Sequence, residues 1–250
     1  VTRALTRARS IWAIDGEVPM RSYLGILIVT ATLAAGPVGI AIGHGGGSMP
    51  SGPAGTVTAT PRNPADAAKS AYNSGVRSVK KAQEYDADAA KASTPEKAAK
   101  AREKAQKYYR ESLASFIEAV GVQPKMYEAW NYLGFANRHL GNYDDALASY
   151  AKALEINPNY PEAVEYRGEA YLGLNQLEEA KGAYMALFRD SRPLADELMV
   201  AMHHWADARR QDAQGLSSAD VEAFAKWMDE RAGIARQTAS LSIGAVQPWR

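Results

Sequence analysis

The sequence predicts an all-α fold for the part of the chain that follows Pro64. Ala, Glu, Lys, Gln, Leu and Tyr dominate this part, and no stretch shows the sustained alternation or β-branched enrichment that is typical of strands. Glycine, alanine, aromatic residues and proline also recur at a fixed interval between Tyr127 and Leu194. The composition, with 46% hydrophobic and 23% charged residues, is that of an ordinary globular protein.

Charge and cysteine content argue against several classes of protein. The 29 basic and 28 acidic residues leave no excess of cations of the kind that nucleic-acid binders concentrate on one face, so nucleic acid is not an expected partner. The chain has no cysteine. A disulfide framework, a thiolate nucleophile and a cysteine zinc site are therefore all excluded.

The N-terminal part of the sequence resembles an export signal. Residues 20–47 read MRSYLGILIVTATLAAGPVGIAIGHGGG, which is a basic start, an apolar middle and an exit of small residues. We expect cleavage after Ala41. The alternative is a retained anchor, although glycine and proline interrupt a run that would need about 20 apolar residues to cross a bilayer. Residues 1–43 are thus predicted to be a signal sequence or signal anchor, with a possible translation start at Met20.

This pattern predicts that the protein is exported and is periplasmic or secreted, or is anchored to the membrane by the N-terminal segment alone. Residues 44–64 are rich in Gly, Pro, Ser and Thr and are predicted to form a flexible linker, because they cannot bury enough apolar surface to offset their ordering entropy. A helical repeat domain is predicted for residues 65–240, followed by a tail over residues 241–250.

The first predicted hairpin is longer than the others. Its first helix runs around Gly75, a candidate for close packing between helices, and its second helix includes residues 105–121. Between them, Ser93-Thr94-Pro95-Glu96 indicates the end of one helix and the capped start of another, with proline in the first turn. The interval is too long for a standard unit, so we expect an elongated first hairpin.

Two units, residues 127–160 and 161–194, carry the clearest pattern. In each unit a glycine, Gly134 or Gly168, lies where two helices must approach closely, and an alanine, Ala146 or Ala180, is expected to face it from the second helix. Large side chains fill the remaining space and a turn separates the helices. The recurring residues are Trp130, Leu133, Gly134, Ala146, Tyr150, Ala153 and Pro158 in the first unit, and Val164, Gly168, Tyr171, Ala180, Tyr184 and Leu187 in the second.

These residues and their spacing resemble the tetratricopeptide repeat family, whose units repeat about every 34 residues. The resemblance implies helical hairpins that stack as a short right-handed α-solenoid. One departure is Asn137, which stands where the next unit has the aromatic Tyr171. We expect this asparagine to soften the interface at that point.

The last predicted helix pair lacks the glycine and alanine signature. It comprises residues 194–211 and 219–237, and the capping pattern Ser217-Ser218-Ala219-Asp220 opens its second helix. Val221, Phe224, Met228 and Ala232 form one apolar stripe on that helix. We interpret the pair as a degenerate unit that caps the stack, because a terminal repeat must cover the last apolar face.

The resemblance implies an adaptor that binds a protein or an extended peptide in a concave groove lined by the first helix of each hairpin. Acidic and aromatic side chains prevail at the implied groove positions, so a basic or aromatic and proline-rich peptide fits them best. Within one helix, Glu162, Glu165 and Glu169 share a face with no cation of that helix to offset them, which suggests that a partner supplies one. The predicted groove residues are Glu128, Asn131, Tyr132, Phe135, Glu162, Glu165, Tyr166 and Glu169.

No catalytic motif is present in the sequence, and we predict that the protein is not an enzyme, needs no cofactor and holds no metal. The strongest metal candidate is the run from Met199 to His204, where Met and His at helical spacing could bind a soft metal. Core packing by Met199 and Met202, with a histidine at the rim, is the preferred interpretation. Two alternative functions stay open: a structural module that forms homo-oligomers in the cell envelope, and an enzyme or metal-binding protein without a recognisable motif.

Overall fold

The computed structural model describes residues 63–244, with side chains through Gln237, and within this range the chain forms eight α-helices and no strand. The all-α prediction is confirmed. The predicted signal segment, and the linker up to residue 62, lie outside the described residues. The helices are α1 (Pro64–Ala90), α2 (Pro95–Val122), α3 (Tyr127–His139), α4 (Tyr143–Ile156), α5 (Pro161–Gly173), α6 (Leu177–Asp190), α7 (Arg192–Gln211) and α8 (Ser218–Gly244).

Consecutive helices pair as hairpins, and each hairpin packs on the next. The pairs are α1–α2, α3–α4, α5–α6 and α7–α8, while α2 contacts α3, α4 contacts α5, and α7 contacts both α5 and α6. The predicted stack of helical hairpins is therefore confirmed. Short connections between neighbouring helices are consistent with this arrangement.

The elongated first hairpin is confirmed, because α1 and α2 contain 27 and 28 residues whereas α3 to α6 contain 13 or 14. Side chains cap the start of both long helices. The Asn63 side chain accepts a hydrogen bond from the Asp66 amide at 2.9 Å, and Thr94 accepts one from the Lys97 amide at 3.3 Å. Each cap is followed by a proline, which suits the first turn of a helix because it has no N–H to leave unpaired.

The turns inside the two central hairpins share one geometry. Gly141 and Asn175 adopt positive φ angles of 80° and 58°, and the amide of the following residue bonds to a carbonyl five residues earlier in both turns. Glycine and asparagine tolerate this left-handed conformation better than other residues. The Asn175 side chain has a further role, since its Oδ1 accepts a hydrogen bond from Arg209 Nε on α7 at 3.0 Å.

Three glycines that the sequence singled out lie where a side chain from a facing helix leaves no space for a Cβ atom, and Gly173, beside the Tyr143 ring, is a fourth such position. A Cβ at Gly75 would lie 2.6 Å from the ring of Phe116, and one at Gly134 would lie 2.6 Å from the ring of Tyr150. At Gly168 the nearest atom would be Cδ2 of Leu198, at 2.7 Å. The sequence predicted close packing at these three glycines, and at Gly134 the atoms nearest to an added Cβ belong to the Tyr150 ring.

The apolar core is divided along the stack. One cluster joins the first hairpin to α3 around Phe116, and another joins α6, α7 and α8 around Trp205. Between them lies a small cluster of Ala146, Tyr150 and Ala170. Ala146 therefore packs toward the next hairpin.

The C-terminal pair caps the stack as the sequence predicted. Ser217 Oγ accepts a hydrogen bond from the Asp220 amide at 3.1 Å, which caps the start of α8. Val221, Phe224 and Met228 are buried. Within residues 63–244, no helix combines the length and the hydrophobicity required to cross a bilayer.

We expect Gly134→Leu to lower the free energy of unfolding by about 1–3 kcal/mol, because the new side chain must displace the fully buried Tyr150 ring. The matched control is Gly182→Leu on α6, where no atom lies within 4 Å of the added Cβ. The control should be neutral or slightly stabilising, since glycine is a poor helix former. Urea denaturation of both variants measures the difference, and equal stabilities would contradict the predicted clash.

Candidate functional site

Tyrosines from three elements gather near the starts of α1, α3 and α5. The rings of Tyr72 and Tyr132 meet edge-on with centroids 5.8 Å apart, and those of Tyr127 and Tyr160 do so at 4.9 Å. Asn131 Nδ2 donates a hydrogen bond to the Tyr160 hydroxyl at 3.4 Å. We call the four half-buried tyrosines Tyr72, Tyr127, Tyr132 and Tyr160 the tyrosine patch.

Two carboxylates adjoin the tyrosine patch and influence its hydroxyls. Burial, followed by the neighbouring Tyr132 and Glu128, raises the pKa of Tyr72 to about 12. Burial and then Glu162 also raise the pKa of Tyr160. The patch therefore presents protonated hydroxyl groups beside carboxylates, an arrangement that suits peptide carbonyls and basic side chains.

The predicted groove residues divide into an accessible set and a buried set. Glu162 is exposed, and Glu128, Tyr132 and Tyr166 are half-buried. The other four, Asn131, Phe135, Glu165 and Glu169, are buried, with exposed fractions between 1% and 5%. In the chain by itself, the buried four do not face solvent as the sequence interpretation had assumed.

A buried ion pair explains one of these carboxylates. Arg138 on α3 pairs with Glu169 on α5, and both side chains are at most 5% exposed. The Arg138 guanidinium also lies 5.3 Å from the ring centroid of Phe135 and 5.5 Å from that of Tyr166. The inference that a partner supplies the cation for Glu169 was therefore wrong, because Arg138 of the preceding hairpin supplies it.

A second carboxyl shares this buried site. Burial, followed by the charge of Glu169 and a hydrogen bond between the two side chains, raises the pKa of Glu165 well above its usual range. Its protonated form is favoured, so that Glu165 donates to Glu169 while Glu169 carries the charge that faces Arg138. One cation and one anion are thus buried together, and the third group is kept neutral.

His139 extends the buried layer toward the first hairpin. Its ring stacks on Tyr109 at a centroid distance of 4.4 Å and lies equally close to Phe135. Burial and the adjacent Arg138 lower the pKa of His139 well below its usual value. The imidazole is therefore neutral at pH 7 and serves in packing.

The candidate metal ligands of α7 differ in their exposure to solvent. Met199 and Met202 are buried, whereas His203 and His204 are exposed, as the preferred core-packing interpretation predicted. Among the described residues, no three His, Cys, Asp or Glu side chains come close enough to hold a metal ion.

Sequence reasoning missed three tyrosines of the patch. Tyr72 lies in the atypical first hairpin, where no groove position could be assigned. Tyr160 lies before the start of α5, outside the helix from which groove positions were chosen. The sequence carried one indication of the patch, because Tyr127 and Tyr160 each lie one or two residues before a glutamate. The contact between these two tyrosines joins two different hairpins, so no local pattern indicates it.

Comparison with known families accounts for the stacked hairpins. Two family models, each described as a tetratricopeptide repeat, match residues 96–161 and 138–193. Residues 96–193 of the chain thus carry tetratricopeptide repeats. The matched region extends from α2 to α6, which includes both clear units predicted from the sequence. A comparison with curated proteins gives no significant match.

Tetratricopeptide repeats typically serve as modules for protein–protein interaction, which indicates that this domain binds a protein. Tyr127, Tyr132 and Tyr160 of the tyrosine patch lie within the matched residues, whereas Tyr72 precedes them.

Removal of Arg138 should be strongly destabilising. Arg138→Gln leaves a buried carboxylate without its cation, and we expect a loss of about 3–5 kcal/mol in the free energy of unfolding. Arg189→Gln is the control, because Arg189 pairs with Asp190 at the surface and should contribute little. Chemical denaturation at pH 7 measures both, and a similar small loss in the two variants would contradict a structural role for the buried pair.

The raised pKa of Glu165 predicts a pH-dependent stability. The unfolded chain releases this proton near pH 4.3, about the ordinary glutamate pKa, whereas the native state holds it to higher pH. Native stability therefore falls as the pH rises from that value through the folded-state pKa. Glu165→Gln removes this loss and keeps a hydrogen-bond donor toward Glu169.

We accordingly expect Glu165→Gln to be more stable than the native chain at pH 8, with the difference shrinking toward zero below pH 4. Denaturation midpoints measured across this range provide the comparison. Glu155→Gln, at an exposed position, should show no such trend. A difference between Glu165→Gln and the native chain that stays constant with pH would argue against a protonated Glu165.

Proposed function

We propose that this chain is an exported, non-catalytic adaptor that binds an extended basic peptide segment across the tyrosine patch. The observation that carries the proposal is the position of Glu128 and Glu162 beside half-buried tyrosines whose hydroxyls stay protonated. Neither carboxylate forms an ion pair with another described residue. Both remain available to a lysine or arginine of a partner.

The aromatic rings provide the apolar part of the contact. Tyrosine combines a large rigid surface with a hydrogen-bonding group and loses little conformational entropy on binding. The rings of Tyr72 and Tyr132 are already held edge-on by their neighbours. Such a preorganised surface favours proline and aromatic side chains between the basic residues of a ligand.

Export is the part of the proposal that rests on sequence alone. The basic start, apolar run and small-residue exit of residues 20–47 support it. These residues lie outside the described part of the chain. Binding at the tyrosine patch does not depend on where the protein is located.

A direct test uses a fluorescein-labelled peptide of alternating Lys, Pro and Tyr, together with a counterpart that has Glu in place of Lys. Fluorescence anisotropy should show preferential binding of the basic peptide, with an affinity that falls as salt rises. The double variant Glu128→Gln, Glu162→Gln should weaken binding roughly three- to tenfold, as expected for the loss of two partly exposed charge contacts.

The control is Glu118→Gln, Glu230→Gln, which removes two exposed carboxylates on α2 and α8. This variant has the same net charge as the test variant and should bind like the native chain. Equal binding of the two peptides, or equal losses in the two variants, would refute a basic ligand at the tyrosine patch.

A further inference from the structure

The half of the first hairpin that lies nearest the turn between α1 and α2 carries an ordered array of lysines and tyrosines. Tyr85 on α1 and Tyr108 on α2 stack across the hairpin with centroids 5.6 Å apart and ring planes within 9°. Lys81 Nζ lies 5.3 Å from the ring centroid of Tyr108, and Lys104 Nζ lies 5.0 Å from that of Tyr85. These contacts hold two cations at defined positions on the surface.

Further lysines extend the array along α2. Lys97, Lys100, Lys104 and Lys107 are three or four residues apart and therefore share one side of the helix. We define the lysine face as these residues with Lys81, Tyr85 and Tyr108; all five of its lysines are exposed. Carboxylates border the face at Asp88, Glu96, Glu103 and Glu111.

Most of these cations lack an anionic partner. Lys107 lies 3.9 Å from Glu111, but Lys81, Lys100 and Lys104 form no ion pair with any residue that the structure describes. The two tyrosines are half-buried, so they are packed in place and still present part of their surface. The lysine face is therefore preorganised toward an anionic surface.

The same chain carries a surface of the opposite charge. Asp144 and Asp145 begin α4, and Glu178 and Glu179 occupy the same positions one repeat later in α6. We call these four exposed residues the acidic edge. Glu178 pairs with Lys181 at 2.7 Å, while the other three form no ion pair with a described residue.

Helix dipoles explain why acids are tolerated at these positions, since negative charge is favourable at a helix N-terminus. They leave the carboxylate oxygens facing solvent. No ion pair joins the lysine face to the acidic edge within the part of the chain that the structure describes. The near balance of 29 basic and 28 acidic residues also means that two copies repel each other only weakly.

We propose that the lysine face of one copy of this chain binds the acidic edge of a second copy. The two surfaces differ, so the contact is head-to-tail and each copy keeps one free surface of each kind. Such a contact produces rings or open chains of molecules. It does not involve the tyrosine patch, because Tyr72 precedes Lys81 by more than two turns of α1, so peptide binding and self-association can be tested separately.

Sedimentation velocity of the full chain provides the first test. At low salt we expect the average mass to rise with protein concentration. In about 0.5 M salt the dissociation constant should increase at least about tenfold, because contacts between exposed charges are screened. A chain that stays monomeric at low salt, or whose association does not depend on salt, would overturn the proposal.

Charge reversal on each surface provides the second test. The double variant Lys100→Glu/Lys104→Glu should abolish association, and so should the double variant Asp144→Lys/Glu179→Lys. An equimolar mixture of these two double variants should restore association. The control Lys125→Glu, Lys226→Glu changes net charge as much as the first variant, at exposed positions outside the lysine face. This control should associate like the native chain.

These exposed substitutions should leave the helical circular dichroism unchanged, which separates a lost contact from a lost fold. If the control dissociates as strongly as the test variant, net charge alone explains the loss of association and the proposal is overturned. A mixture that fails to associate would show that the two surfaces do not meet. The lysine face would then be assigned to another anionic surface, such as a lipid bilayer or an acidic partner protein.

Discussion

The stack of hairpins depends on how closely α3 can approach α4, and the contact between Gly134 and Tyr150 sets that distance. The Tyr150 ring is fully buried and fills the space that a side chain at position 134 would occupy. Because protein interiors are close-packed, a single added carbon there must move either the ring or a helix. Gly75 with Phe116 repeats this solution in the longer first hairpin. The glycines therefore determine the spacing of the helices that carry every other feature of the molecule.

At this helix spacing, a layer of buried polar side chains lies between neighbouring hairpins. Arg138 reaches from α3 to Glu169 on α5, and the neutral Glu165 donates to the same carboxylate. Burial of such a pair is costly, and its net contribution to stability is smaller than the cost of breaking it. A shift of α3 against α5 that separated the two groups would leave a buried charge without its partner. The pair thus penalises other alignments of the two hairpins.

The exposed charges that belong to the proposed binding surfaces lie in three separate regions of the fold. The tyrosine patch with Glu128 and Glu162 lies near the starts of the first helices, the lysine face occupies the half of the long hairpin nearest its turn, and the acidic edge begins the second helices. Each region is held by a different set of packing contacts. A protein partner and a second copy of the chain can therefore be considered as ligands of distinct surfaces.

The sequence by itself determined the features that depend on neighbouring residues. Thr94 with Pro95 marked a helix start, and the period of the two central units predicted stacked hairpins. The capping signal acts within one helical turn and the repeat period spans one hairpin, and the structure confirms both. Helical periodicity also identified Glu162, Glu165 and Glu169 as residues of one face.

Only the tertiary structure decided what covers that face. Arg138 and Glu169 are separated by a turn, a helix and a loop, and no local pattern indicates that they meet in the interior. The same is true of Gly134, where the Tyr150 ring lies nearest to the position of an added Cβ. Periodicity states which side of a helix a residue occupies, whereas burial and charge pairing depend on the neighbouring hairpin that packs against it. For this reason the sequence predicted the fold in detail but assigned solvent-facing roles to carboxylates that lie inside it.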